Sequence, residues 1–294
     1  MFSGSLVAIV TPMGRNGEID YPTWSRLVDF HLQNGTNGIV VGGTTGESAT
    51  LTDAELKELS VRACKQVAGR IPIIVGAGAS GTAFTVDRVR WLSELPIDGL
   101  LVVTPAYNRP TQEGLYQHFA AVSKATKRPL IPYNVPSRTA VDMLPSTTGR
   151  VSQLPNVVAI KEAVAKMERV RELRALCRDG FAVLSGDDAT AREAVFEGAR
   201  GVISVTANVA PKQMADIIAS ALAGDRAKAS GIDARLSALH DALFVEPNPI
   251  PVKWSMWKMG LMDLGIRLPL TELSAQHQEP LAGVLREAGV LNDQ

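Results

Sequence analysis

The run VVAIKEA, Val157 to Ala163, is apolar until it ends in Lys161 beside Glu162. A lysine so placed has two uses. It can snorkel to water and pair with the adjacent carboxylate, or it can sit in a dry pocket that lowers its pKa and frees a neutral amine to attack a carbonyl carbon. The other chemistry-bearing groups are mostly neutral hydroxyls, in Thr44, Thr45, Tyr107 and Tyr133, and no second cation stands near Lys161 in the sequence. A desolvated amine among threonines and tyrosines suits imine formation with a ketone. Threonine hydroxyls and backbone N–H groups would hold a carboxylate while a tyrosine shuttles protons. Each residue also has a plainer use. Thr44 and Thr45 fit turn chemistry before a helix, and either tyrosine fits a core with its hydroxyl satisfied. Asp187 and Asp188, before ATAREA, serve as acid and base or, the commoner use, as a helix N-cap. Arg138, in VPSRTA, is a solvated loop charge or a planar fork for a carboxylate.

The elements that must position these groups are read from hydrophobic periodicity. Short runs rich in Val, Ile and Leu recur as LVAIVTP, GIVVGG, IPIIVG, GLLVVTP, PLIPYNVP, VVAIKEA, FAVLSGDD and GVISVTAN. They lack polar alternation, which predicts parallel strands covered on both faces. Between them lie helical stripes: Trp24, Leu27, Val28 and Leu32; Leu56, Leu59, Ala63 and Val67; Met167, Val170, Leu173 and Cys177. Thr52 followed by Glu55 predicts a capping box. Roughly eight strand–helix units in about 220 residues predict a TIM (β/α)8 barrel, an α/β fold, with a catalytic barrel over residues 1–224 and a C-terminal helical region over 225–294. The alternative is a doubly wound open sheet, to which GAGASG, Gly76 to Gly81, gives some support. The acidic residue such a nucleotide-binding turn needs is missing, since the next run, LLVVTP, ends in Thr104. Those glycines read instead as close backbone packing at a barrel mouth.

In a barrel of this kind the chemistry gathers at the carboxyl ends of the strands. There the runs supply Thr11, then Gly43, Thr44 and Thr45, then Gly76 and Gly78, Thr104 with Tyr107, Tyr133 with Asn134, Lys161, Gly186 with Asp187, and Ser204 with Thr206. Lys161 is therefore one of a converging set.

Composition narrows the partners. Thirty basic and thirty acidic residues balance, so no electrostatic footprint for nucleic acid or an anionic membrane is expected. The opening MFSGSLVAIVTPMG has no basic leader and only a short apolar stretch. Cys64 and Cys177 lie far apart without CxxC spacing and are expected as buried thiols of a reducing compartment, the cytoplasm. His31, His118, His240 and His277 are scattered with no metal-ligand pair, so no metal is expected.

The blocks GTTGESATL, YNRPTQEGLYQHF, YNVPSRT, AIKEA, LSGDDA, GVISVTAN and FVEPNPIPVKW follow one another nearly end to end. In this order and spacing the chain resembles the dihydrodipicolinate synthases, within the pyruvate-dependent class I aldolase family. The resemblance implies that Lys161 forms a Schiff base with pyruvate, with no other cofactor. It implies that Tyr133 transfers protons through a relay with Thr44 and Tyr107, the latter reaching into a neighbouring subunit's site. Thr45 would hold the pyruvate carboxylate, the main chain at Gly186 and Ile203 would line the pocket, and Arg138 would bind the carboxylate of L-aspartate-4-semialdehyde. A homotetramer built as a dimer of dimers is implied too. Lysine-inhibited members carry His, Asn, Glu and Tyr where this chain has Leu56, Ser80, Phe84 and Ala106, so little feedback inhibition by L-lysine is expected. A sister enzyme, such as N-acetylneuraminate lyase or a 2-keto-3-deoxy sugar acid aldolase, shares the lysine and tyrosine but resembles the chain less around PSRT. A catalytically silent keto-acid-binding barrel would have lost Lys161 or Tyr133, and both are present.

Overall fold

The computed structural model describes residues 2–291. The eight apolar runs form β1 (Gly4–Ala8), β2 (Gly38–Val41), β3 (Ile73–Gly76), β4 (Gly99–Val103), β5 (Leu130–Asn134), β6 (Ala159–Glu162), β7 (Ala182–Ser185) and β8 (Gly201–Ser204). Each pairs with the next in parallel, and β8 pairs with β1, so the sheet closes into a barrel. The open-sheet alternative is excluded. GAGASG lies at the mouth as expected: a Cβ on Gly76 would stand 2.0 Å from the Gly42 carbonyl oxygen, an approach that only a glycine permits.

The runs are apolar throughout because the barrel has two apolar sides. Leu6 and Ala8 of β1, Ile131 of β5, Ala159 of β6, Ala182 and Leu184 of β7 and Ile203 of β8 fill the interior. Their strand neighbours Val7, Leu130, Ile160, Val183 and Val202 face the helix layer. Parity along β6 then decides the first question posed by the sequence. Lys161 follows Ala159 by two residues and points inward, whereas Glu162 shares the outward parity of Ile160. The two charges stand on opposite faces of the strand and do not pair.

Helices complete each unit, and the expected stripes face the sheet. Trp24, Leu27 and Val28 are buried on helix Tyr21–Gln33, as are Leu56, Leu59, Ala63 and Val67 on helix Asp53–Val67. The capping box is present: the Glu55 amide donates to Thr52 Oγ1 at 3.2 Å, and Glu55 Oε2 accepts from the Thr52 amide at 2.8 Å. Cys64 and Cys177 are free and only half-buried, which corrects the expectation of fully buried thiols; burial still pushes each thiol up to about 11. Both lie at the edge of the helix layer, where one side of the side chain meets solvent. Among the described residues no helix is long and apolar enough to cross a membrane.

After helix Pro211–Leu222 the chain continues as helices Arg226–Asp233, Ser237–Ala242, Ile250–Lys258 and Ala275–Glu287. Leu239, Val252, Trp254, Leu281 and Leu285 of these helices join the same apolar cluster as Val7 and Ile39. They therefore pack on the barrel, and their polar residues can reach its mouth.

Candidate active site

Lys161 and Tyr133 are register partners across β5 and β6, both on the inward face of the uppermost interior layer. The Lys161 Nζ lies 4.3 Å from the centre of the Tyr133 ring. Gly186, just beyond β7, makes room for the amine, because a Cβ there would lie 3.1 Å from Lys161 Cε. Lys161 is 5% exposed and Tyr133 6%. Burial lowers the Lys161 pKa to about 8, Asp188 opposing this and Arg138 adding to it. Ordinary lysine at pH 7 is neutral in well under one molecule in a thousand, whereas a pKa near 8 leaves roughly a tenth as nucleophile. The Tyr133 phenol is pushed up to about 12 by burial, with Arg138 and a hydrogen bond to Thr44 acting the other way. Tyr133 is thus held as a protonated donor beside an amine that readily loses its proton.

These residues open onto a cavity of about 210 Å³ lined by Thr44, Thr45, Tyr133, Arg138, Lys161, Gly186, Asp187 and Asn248, among others. A second hollow of about 210 Å³ shares Thr44, Arg138 and Asn248 with it. Arg138 Nη2 donates to the Asn248 carbonyl at 3.4 Å, and no carboxylate pairs with it among the described residues. No other cation neighbours Lys161 in the sequence; folding supplies Arg138 from the short helix Pro136–Thr139 after β5.

The fold brings most of the expected residues together. Thr44, Thr45, Tyr133, Arg138, Lys161 and Gly186 all border the one cavity. The Ile203 side chain lies among the interior residues and does not line the cavity, whereas Val205, just after β8, does. Tyr107 is the exception. It is 95% exposed, with φ at +74°, and does not line the cavity of its own chain. Thr11 and Thr104 have structural uses: Thr11 Oγ1 donates to the Gly46 carbonyl at 2.8 Å, and Thr104 Oγ1 bonds Thr139 at 3.4 Å. The expected helix cap at Asp187 and Asp188 is also corrected. Thr190 occupies the N-cap of helix Ala191–Phe196, while Asp187 Oδ2 accepts from the Thr190 amide at 3.0 Å and Asp188 Oδ2 from the Val205 and Thr206 amides. Asp188 is thereby turned away from the helix and toward the end of β8.

Three positioning residues escaped the sequence reading. Asn248 Nδ2 donates to Thr45 Oγ1 at 3.0 Å and fixes that hydroxyl at the cavity wall. Glu47, two residues past Thr45, is buried and forms an ion pair with the buried Lys253 of helix Ile250–Lys258. Its other oxygen accepts from the Arg267 amide at 3.0 Å. A pair this deep contributes little net stability, but loss of one partner strands a buried charge at a cost of about 3–5 kcal/mol, so it fixes the Thr44–Thr45 loop to the C-terminal helices. The available signal was a lone lysine in the apolar stretch IPVKW and a lone glutamate in GES.

The desolvated lysine, its tyrosine partner and an arginine with no carboxylate partner among the described residues meet at the carboxyl end of the barrel, a set of groups whose chemistry suits imine formation. Comparison with known proteins identifies the family. Residues 1–288 match the model of the dihydrodipicolinate synthetase family. The chain is 53% identical over 291 residues to the 4-hydroxy-tetrahydrodipicolinate synthase of Methylococcus capsulatus, covering 99% of this chain and 100% of that one. Among solved structures, the chloride-inhibited dihydrodipicolinate synthase of Acinetobacter baumannii complexed with pyruvate superimposes with a TM-score of 0.97 at 46% identity, covering 99% of this chain and 100% of that one. The dihydrodipicolinate synthase of Thermotoga maritima gives 0.96 at 44% identity with the same coverage. The chain belongs to the dihydrodipicolinate synthetase family.

Proposed function

We propose that this enzyme condenses pyruvate with L-aspartate-4-semialdehyde through a Schiff base on Lys161, forming the hydroxylated tetrahydrodipicolinate that leads to diaminopimelate and lysine. The observation that carries the reading is the inward, desolvated Lys161 in register with Tyr133. The neutral Nζ attacks the pyruvate carbonyl carbon, a C=N bond forms, and the carbonyl oxygen leaves as water, taking up protons delivered from Nζ and through Tyr133. Loss of a methyl proton then gives an enamine, whose carbon attacks the aldehyde to form the new C–C bond. Hydrolysis of the imine and ring closure release product and regenerate the amine. Thr45 holds the pyruvate carboxylate, and the main chain at Gly186 and Ile203 lines the same pocket. The test is pyruvate loss from purified protein with and without the aldehyde; rapid, aldehyde-dependent loss supports the reading, and aldehyde-independent or absent loss refutes it.

Arg138 borders both hollows and has no carboxylate of its own, which suits it to the carboxylate of the aldehyde substrate. Arg138→Ala is expected to raise the KM for the aldehyde roughly tenfold or more, with a smaller effect on pyruvate. An equal rise for both substrates, from steady-state kinetics, would remove the assignment.

The relay from Tyr133 through Thr44 to Tyr107 is completed by a second copy of the chain, on this proposal, as part of a dimer of dimers in the cytoplasm. The support is the outward Tyr107, with Phe84 also exposed. Phe84 and the buried Leu56 replace groups that would bind a lysine ammonium and its polar contacts. L-Lysine at millimolar concentration is therefore expected to leave the rate unchanged; micromolar inhibition in the same assay would contradict this.

A further inference from the structure

Imine chemistry places a second electrostatic demand on the site. The amine can be neutral before it reacts, but the iminium that activates pyruvate is a full cation in the same dry site. Written in balance, the neutral Nζ (two protons), the carbonyl and one further proton give one iminium nitrogen that keeps a single proton, and one water. The product cation cannot shed its charge without losing the electron sink that acidifies the methyl group. A buried charge is very costly unless anions stand near it; the carboxylate of the bound pyruvate offsets part of this one, and a fixed carboxylate of the fold would offset more.

Two carboxylates follow β7, and their geometry separates them. Asp187 lines the open cavity and spends Oδ2 on Thr190, accepting from its amide at 3.0 Å and its hydroxyl at 2.6 Å. Asp188 is 3% exposed. Its Oδ2 accepts from the Val205 amide at 2.8 Å and the Thr206 amide at 2.9 Å, which anchors the carboxylate to the end of β8. Its Oδ1 is buried and has no hydrogen-bond partner among the described residues. A buried carboxylate with one oxygen firmly held and the other unanswered is a charge kept in reserve. It sits two residues beyond Gly186, the residue whose α-carbon leaves space for Lys161 Cε. Asp188 is also the carboxylate to which Lys161 is electrostatically coupled.

The anchor is itself braced. Thr206 Oγ1 lies 2.9 Å from His240 Nδ1, His240 Nε2 lies 3.4 Å from Asp233 Oδ1, and Arg192 Nε donates to Asp233 Oδ2 at 2.9 Å. The catalytic proposal does not use this buried chain. It holds the segment after β8 in place, and through it the two N–H groups that fix Asp188.

We infer that the Asp188 carboxylate is the counter-ion of the protonated imine on Lys161, a positioning residue that acts through electrostatics and not through contact with the reacting carbons. The inference rests on the Schiff-base reading given above. The charged and titratable groups around the pair are Lys161 on β6, Tyr133 on β5, Arg138 after β5, Asp187 after β7 and His240 behind Thr206. Arg138 opposes both cations; with Asp187 bonded to Thr190, Asp188 is the chain's carboxylate best placed to offset them alongside the substrate's own carboxylate.

Asp188→Asn is the informative variant, because its side-chain oxygen still accepts from the Val205 and Thr206 amides while the charge is gone. Borohydride trapping of pyruvate, followed by mass spectrometry over a range of pyruvate concentrations, reads the stability of the iminium. The half-trapping concentration is expected to rise roughly tenfold or more, the effect of removing an opposite charge at close range. The attack of the free amine at neutral pH is expected to be no slower, since losing Asp188 favours the neutral form. A purely structural role would impair both. Asp188→Glu, which keeps the charge, is expected to restore part of the affinity. Wild-type affinity in the Asn variant, or equal impairment in the Glu variant, would overturn the role.

Should the Asn variant fail to fold, the unaltered protein answers the same question. With ¹⁵N-labelled lysine and pyruvate, the imine nitrogen is expected to stay protonated to about pH 9. A neutral imine at about pH 8 would overturn the counter-ion. No adduct on the wild-type chain would instead refute the Schiff-base reading, and this role with it.

Discussion

Lys161→Ala is expected to abolish the borohydride-trapped pyruvate adduct and to lower kcat/KM by roughly 10⁴- to 10⁶-fold, the scale on which removal of a nucleophile acts. The variant should remain folded, because it removes a buried amine that burial already disfavours and leaves a methyl group in its place. The expectation is specific to this lysine. Lys253 is equally buried, but it is committed to Glu47 and cannot offer a free amine. Among the described residues no carboxylate is bonded to Lys161, and its parity on β6 directs it into the cavity. Its pKa near 8 adds a pH signature. Adduct formation in the wild-type chain should rise about tenfold per pH unit below pH 8 and level off above it, because the reactive species is the deprotonated amine. A flat profile between pH 6 and 8, or an adduct that persists in the alanine variant, would contradict the role.

Tyr133→Phe is expected to lower kcat by roughly 10²- to 10³-fold while leaving the KM for pyruvate within a few-fold of wild type. The substitution keeps the ring that packs 4.3 Å from Lys161 Nζ and deletes only the hydroxyl that bonds Thr44. Pyruvate binding should therefore survive, since the carboxylate is held elsewhere. Proton delivery to the departing carbonyl oxygen and return of the proton during C–C bond formation should not. The buried phenol stays protonated across the working range, as its pKa is pushed up to about 12. No loss of activity on the acid side of neutrality should be traced to it. Steady-state kinetics with both substrates distinguish the cases: an unchanged kcat removes Tyr133 from proton transfer, and a large KM effect alone makes it a binding residue.

The sequence exposed the barrel because parallel strands buried on both faces leave a strong mark. VVAIKEA and GLLVVTP carry no polar alternation, and the interior and helix-facing clusters of the structure account for every apolar position in them. Lys161 was legible for the same reason: a charge at an inward position of such a run has few uses. The direction of Glu162 follows from strand parity once the boundaries of β6 are known, and those boundaries are hard to read from four residues. For Asp187 and Asp188 the sequence favours a helix cap over acid–base use, because adjacent carboxylates before a helix fit a cap. Only the three-dimensional neighbourhood reveals that Asp188 reaches across to Val205 and Thr206, 17 and 18 residues away. Asn248 meets Thr45 across 203 residues, and Lys253 meets Glu47 across 206. No local pattern encodes such pairings. Tyr107 is the converse case: its importance is carried by the family resemblance, and within one chain it points away from the site.

The most direct test of the central claim maps the covalent intermediate during turnover. Protein mixed with pyruvate is quenched with borohydride, digested and sequenced by mass spectrometry, with and without L-aspartate-4-semialdehyde added before the quench. A single reduced adduct on Lys161, diminished when the aldehyde is present, is the result this account predicts. An adduct on another lysine, or one on Lys161 that the aldehyde leaves untouched, would contradict it.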